Sequence, residues 1–167
     1  MQALYLSQRD HWGLQAPFGA IHHIALVTND MKKTVAFYRD VLGSEVALGH
    51  RMSRPDKARH YFITVAPNTV FAFFEFSEAQ LPEYQDPTQP KTGRALDHIA
   101  FFVEDEATLQ AWHQRLQGKV EHLSEIQDLG LVRAFFFADP NGIVLEVMIA
   151  QEQNMLFPIL DDPEPAY

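Results

Sequence analysis

Two histidines and two carboxylates in this chain stand on strand-like apolar runs, and residues of these types can together hold a metal ion. His23 belongs to the stretch 21–43, IHHIALVTNDMKKTVAFYRDVLG, and His98 to a second copy of it at 96–118, LDHIAFFVEDEATLQAWHQRLQG. Overlaid without a gap, His23 falls on His98, Ile24 on Ile99, Ala25 on Ala100, Asp30 on Asp105 and Gly43 on Gly118. Each copy then ends on an apolar strand carrying one carboxylate, Glu75 inside FAFFEF and Glu146 inside GIVLEV. An ionised carboxylate in such a run is costly unless it is paired or bound to a cation. Imidazole and carboxylate together suit one divalent transition metal, Fe, Mn, Co, Ni or Zn, whereas calcium would call for more oxygens. With no cysteine in the chain, His and carboxylates must supply every ligand.

A histidine or glutamate taken singly is more often a hydrogen-bonded core or edge residue than a ligand. The repeat is what joins His23, Glu75, His98 and Glu146 into one candidate set, with the strands' pseudo-twofold axis as the meeting point. It also separates His23 from its neighbour, because His22 aligns with Asp97 rather than with a histidine. His22 and Asp97 are therefore expected on the other face, as structural or interface residues.

The elements that must position these groups also repeat. Residues 21–28 read as a strand apolar on both faces. Asn29 or Asp30 then caps a helix whose stripe is Met31, Val35, Tyr38, Val41 and Leu42, and Gly43 stops it. Strands are expected near 44–50, 60–66 and 70–76. The second copy gives a strand at 96–103, a cap at Glu104 or Asp105, and a helix with stripe Leu109, Trp112 and Leu116. Strands near 120–123, 131–137 and 143–149 follow, the last two joined by the turn Asp139-Pro140-Asn141-Gly142. The expected organisation is an arm at 1–20, a first βαβββ module at 21–76, a proline-containing linker at 77–94, a second module at 95–150 and a tail at 151–167. The fold class is α+β.

Composition narrows the function. Of 167 residues nearly half are apolar and thirteen are Phe, enough for a real core. A formal charge of −9 argues against nucleic acid as a partner. No apolar run approaches the ~20 residues needed to span a bilayer. The N-terminus has no secretory pattern. The expectation is a cytoplasmic protein whose partner is a small-molecule substrate, with no membrane association.

The motifs HHIALV with AFYRDVLG, FFEF, LDHIAFFVED and DPNGIVLEV resemble the vicinal oxygen chelate superfamily of glyoxalase I, methylmalonyl-CoA epimerase, extradiol dioxygenases, fosfomycin-resistance proteins and bleomycin-binding proteins. The resemblance covers roughly residues 21–149. It implies an open, cupped, eight-stranded mixed sheet with the helices outside, commonly a homodimer, and metal positions at His23, Glu75, His98 and Glu146. Retention of a carboxylate at Glu75 points to the glyoxalase and epimerase side. There Lewis-acid polarisation joins proton transfer by Glu75 or Glu146, in an isomerase, epimerase or lyase. The alternative is ring cleavage of a catechol-like substrate by Fe(II) on His23, His98 and Glu146, with Glu75 off the metal and His60 or Tyr61 moving a proton. Arg133 is a further candidate for binding a substrate anion. A third reading is a cup that sequesters a small molecule without turnover.

Overall fold

A computed structural model describes residues 21–53, 57–87 and 95–151. The expected arm and nearly all of the tail lie outside the described residues. The chain divides into two compact units, 1–83 and 84–167. Each carries a four-stranded mixed sheet with a helix, in the expected βαβββ order.

In the first unit β1 (Ile24–Thr28) leads into α1 (Met31–Ala36), which continues as a π-helical stretch Phe37–Leu42 and stops at Gly43 with φ 81°. Strands β2 (Glu45–Arg51), β3 (Arg59–Ala66) and β4 (Thr69–Glu75) follow, in the spatial order β1-β4-β3-β2. Asp30 caps α1 as expected, its carboxylate accepting from the Lys33 amide at 3.0 Å. Thr28 and Thr34, both fully buried, tie strand to helix through a 2.8 Å hydroxyl pair. The buried stripe is Met31, Thr34, Phe37 and Tyr38, not the expected Val35, Val41 and Leu42. Wider π winding after Ala36 shifts the inward-facing register, which a 3.6-residue period does not anticipate. Tyr38 meets Phe71 and Phe73 of β4 with ring centroids 5.9 and 5.3 Å away, so those two phenylalanines define the helix-covered face.

The second unit repeats the plan with β5 (Ile99–Phe102), α2 (Glu106–Leu116), β6 (Gln127–Asp128), β7 (Val132–Ala138) and β8 (Val144–Ala150), ordered β5-β8-β7-β6. Asp105 caps α2 by accepting from Thr108 at 2.8 Å. The stripe is Leu109, His113 and Leu116; His113 takes the place expected of Trp112. Its imidazole satisfies itself on the Ser124 carbonyl at 2.9 Å and meets Phe135 edge-on, while Trp112 lies under the Arg115 guanidinium. The strand expected at 120–123 is reduced to one bridge, Glu121 with Ala138, and the edge strand forms later, at Gln127.

Between β7 and β8 the expected turn is built on buried Asp139. Its carboxylate accepts from the amides of Asn141 and Ile143 at 2.8 and 2.9 Å and from the Asn141 side chain at 2.9 Å. Gly142 supplies the left-handed residue, φ 75°. This turn sets where β8 begins and hence where Glu146 stands. Asp139→Ala leaves buried donors unpaired and is expected to lower stability by about 2–3 kcal/mol, read as a reduced urea midpoint.

Candidate metal-binding site

Parallel pairing of the first strand with the last fixes which face each functional side chain occupies. In the second unit Ala100 stands opposite Glu146, and β7 places Phe136 beside that same Glu146. Phe135 faces α2 through His113, so Phe136, Glu146 and His98 share the face turned away from the helix. There His98 Nε2 lies 2.9 Å from Glu146 Oε2. Only 5% of Glu146 is exposed. Burial pushes its carboxyl upward from the ordinary value, and the adjacent imidazole offsets part of that rise. Phe136 contacts the His98 ring edge-on at 5.7 Å. Behind the imidazole, Asp97 Oδ1 is 2.6 Å from His98 Nδ1. Asp97 therefore acts on the candidate ligand itself, contrary to the expectation that it serves the opposite face.

In the first unit the same register puts Ala72, not Glu75, opposite Ala25. Since Ala25 is the repeat partner of Ala100, the true counterpart of Glu146 is Ala72. Glu75 lies three residues further along, opposite Thr28, and shares the helix-covered face with Phe71 and Phe73. Its Oε1 accepts from the Met31 amide at 2.9 Å, at the start of α1, and from Arg59 Nη1 at 3.1 Å. His23 precedes β1 at its other end. The five-residue step from His23 to Thr28 corresponds to about 17 Å of strand. His23 and Glu75 thus occupy opposite ends and opposite faces of one sheet, which does not suit a shared ion. Counting one carboxylate per final strand concealed this three-residue offset.

His23 lies on the face away from α1, 5.9 Å from Phe62, and its Nδ1 is 2.8 Å from Nδ1 of His22. His60 stacks on Phe74 at 3.8 Å on the same face and also meets Phe62 and His50. Its Nε2 is buried without a hydrogen-bond partner. Burial, then the nearby His50 and His23, lowers its pKa. Tyr61, paired with Phe73, takes the alternate face and lines a hollow with Met31, Lys32, Arg39 and Arg59. Arg133 is bound to Glu106 of α2 at 3.0 Å, on the helix side of its sheet. Of the three substrate-binding candidates, only His60 lies on the face that carries the histidine candidates. His50, not singled out in the sequence, joins it there. Among the described residues no group of three or more His, Asp or Glu side chains is arranged to hold a metal ion; of the four expected ligands, His98 and Glu146 are the two in contact.

Residues 20–147 match the family model of the glyoxalase, bleomycin resistance protein and dioxygenase superfamily. The chain belongs to this superfamily. Uncharacterized protein YwkD of Bacillus subtilis is 31% identical over 130 residues, covering 77% of this chain and 94% of YwkD. The putative ring-cleaving dioxygenase MhqA of the same organism is 32% identical over 72 residues, 42% of this chain; the match spans only 23% of MhqA. Among solved structures, a glutamate-to-glutamine mutant of the fosfomycin resistance protein FosX of Listeria monocytogenes, complexed with Mn(II) and 1S,2S-dihydroxypropylphosphonic acid, aligns at TM-score 0.60 and 20% identity over 78% of this chain and 91% of FosX. At that identity the likeness is one of fold. Superfamily membership brings enzymes of several reaction classes into view, and metal-binding members among them.

Proposed function

We propose that the chain is a metal-dependent enzyme in which His98 and Glu146 of the second unit are ligands of a divalent transition-metal ion, with His23 of the first unit a further candidate ligand, and that it takes a small substrate presenting two neighbouring oxygens. The observation that carries this reading is the 2.9 Å approach of His98 Nε2 to the buried Glu146, while Glu75 is engaged at the N-terminus of α1, so that the donors on offer are imidazole and a single carboxylate. Such a set fits the ion: it leaves positions open for a chelating substrate, and in non-haem iron enzymes for dioxygen as well. When bound, the ion supplies Lewis-acid polarisation of the substrate oxygens and, if it is ferrous, the means to reduce dioxygen.

The chain's own residues complete the chemistry. Phe62 and Phe74, on the His23 side of the first sheet, offer flat apolar surface to an aromatic substrate. His60, whose pKa burial lowers and whose buried Nε2 has no hydrogen-bond partner, is the candidate to take a proton from a substrate hydroxyl that reaches it. These features favour oxygen-dependent cleavage of a catechol-like ring over isomerisation shuttled between two carboxylates, and the name of MhqA agrees with that reading. The glyoxalase-like reaction remains the second reading, supported by Glu146. A carboxyl raised by burial can give and take the proton beside a polarised carbonyl.

The test is metal content of protein purified without oxygen, with oxygen uptake measured on a panel of catechols. About one iron per chain and catechol-dependent uptake are expected, both lost in His98→Ala. Stoichiometric nickel, cobalt, zinc or manganese without uptake selects the proton-transfer reading. Absence of any bound metal removes both and leaves a sequestering protein.

A further inference from the structure

The residue before each candidate histidine occupies repeat-related positions 22 and 97, and each reaches the Nδ1 atom of the ring that follows it. Asp97 Oδ1 lies 2.6 Å from His98 Nδ1. His22 Nδ1 lies 2.8 Å from His23 Nδ1. Two different side chains at equivalent points make the same contact, so the arrangement follows from the backbone geometry at the entry of β1 and β5. We infer that Asp97 and His22 are positioning residues that fix the proton of the neighbouring imidazole on Nδ1 and turn its Nε2 outward as a metal ligand. This rests on the metal reading above and adds to it which residues prepare the ligands.

The chemistry of the two contacts differs. A carboxylate only accepts, so Asp97 requires the proton on His98 Nδ1; Nε2 shares a second proton with Glu146 in the metal-free chain and is free to coordinate once that proton leaves. In the Nδ1–Nδ1 contact of the first unit one ring must donate and the other accept. His23 ligates through Nε2 only when it is the donor and His22 is the acceptor, with His22 carrying its own proton on Nε2. Asp97 is charged and makes the shorter contact; charge-assisted bonds are roughly twice as strong as neutral ones. His98 with Glu146 is therefore the better-prepared half of the donor set. The Asp97 side chain is 45% exposed, so its replacement leaves no cavity.

The full chain is titrated calorimetrically with Zn(II), as wild type, Asp97→Ala, Asp97→Asn and His22→Ala. Asp97→Ala is expected to weaken binding 10–100-fold, the span typical of a ligand's outer partner. Asp97→Asn keeps a carbonyl acceptor and regains most of that loss, and His22→Ala weakens binding by less than Asp97→Ala. Nitrogen-15 spectra of the zinc-loaded wild type should show His98 protonated at Nδ1 and metal-bound at Nε2. Zinc bound by wild type and by Asp97→Ala with affinities within twofold, or His98 coordinated through Nδ1, overturns the inference while the metal reading survives. A wild type that binds no zinc, manganese or ferrous ion overturns the metal reading and the inference with it.

Discussion

Glu146→Ala is expected to abolish turnover and to weaken metal binding by more than ~100-fold, beyond the 10–100-fold usually lost with an outer partner of a ligand. Glu146 is the buried carboxylate of the second sheet that faces a histidine on the open side, so its removal takes away the acid that meets His98 Nε2. Glu146→Gln keeps the shape and separates two effects. Binding and activity still fall, because an amide is a far poorer ligand. Stability of the metal-free protein at neutral pH holds or rises. Burial raises the folded pKa of Glu146, so the stability that its protonated form contributes is fully present below the ordinary carboxylate pKa. It is lost as pH rises through the higher folded value. Gln removes that loss. Chemical denaturation of metal-free protein across pH 4–8 checks it: the advantage of the Gln variant over wild type should grow with pH. A Glu146→Gln variant with wild-type metal affinity and turnover would eliminate the proposed site.

The repeat, both helix caps, the Gly43 stop and the Asp139 turn were legible because each depends on local chemistry at fixed spacing. Asp30 and Asp105 each accept from the amide three residues along, and Gly43 adopts positive φ, whatever the rest of the fold does. Helix stripes were read less well. Periodicity assumes 3.6 residues per turn, and the π-helical stretch broke that assumption at Phe37. Hydrophobicity alone gave Trp112 the core position that His113 fills by finding a carbonyl. Of the candidate site, the meeting of His98 with Glu146 was legible, whereas the position of Glu75 was not. Glu75 has the right residue type on the right strand, but a shift of three residues is odd, and an odd shift in a strand reverses the face. Only the pairing of Ala25 with Ala72 and of Ala100 with Glu146 exposes the reversal. The dipeptides His22-His23 and Asp97-His98 carried a signal that strand alternation hid. Neighbours in a strand point apart, yet a side chain just ahead of the strand can still reach the next ring's Nδ1.

Glu75→Ala is the complementary experiment, and its expected result is a loss of stability without a loss of metal. The carboxylate joins the first amide of α1 to Arg59 of β3, and 18% of the Glu75 side chain and 26% of the Arg59 side chain are exposed. Removing it strands a guanidinium and an amide that water reaches only in part, and takes a negative charge from a helix N-terminus, where the backbone dipole favours one. A destabilisation of roughly 1–3 kcal/mol follows, seen as a lower urea midpoint for the first unit. Glu75→Gln should cost less, because its amide oxygen can still accept from Met31 while the charge on Arg59 goes unanswered. In both variants metal affinity should stay within about twofold of wild type, since Glu75 is about 17 Å of strand from His23 and on the other face. The two glutamates therefore exchange roles relative to a reading that treats them as equals: Glu146 governs binding at little cost to folding, and Glu75 governs folding at little cost to binding. A Glu75→Gln protein that folds normally but fails to bind metal would place that carboxylate on the ion and return the four-donor, glyoxalase-type site.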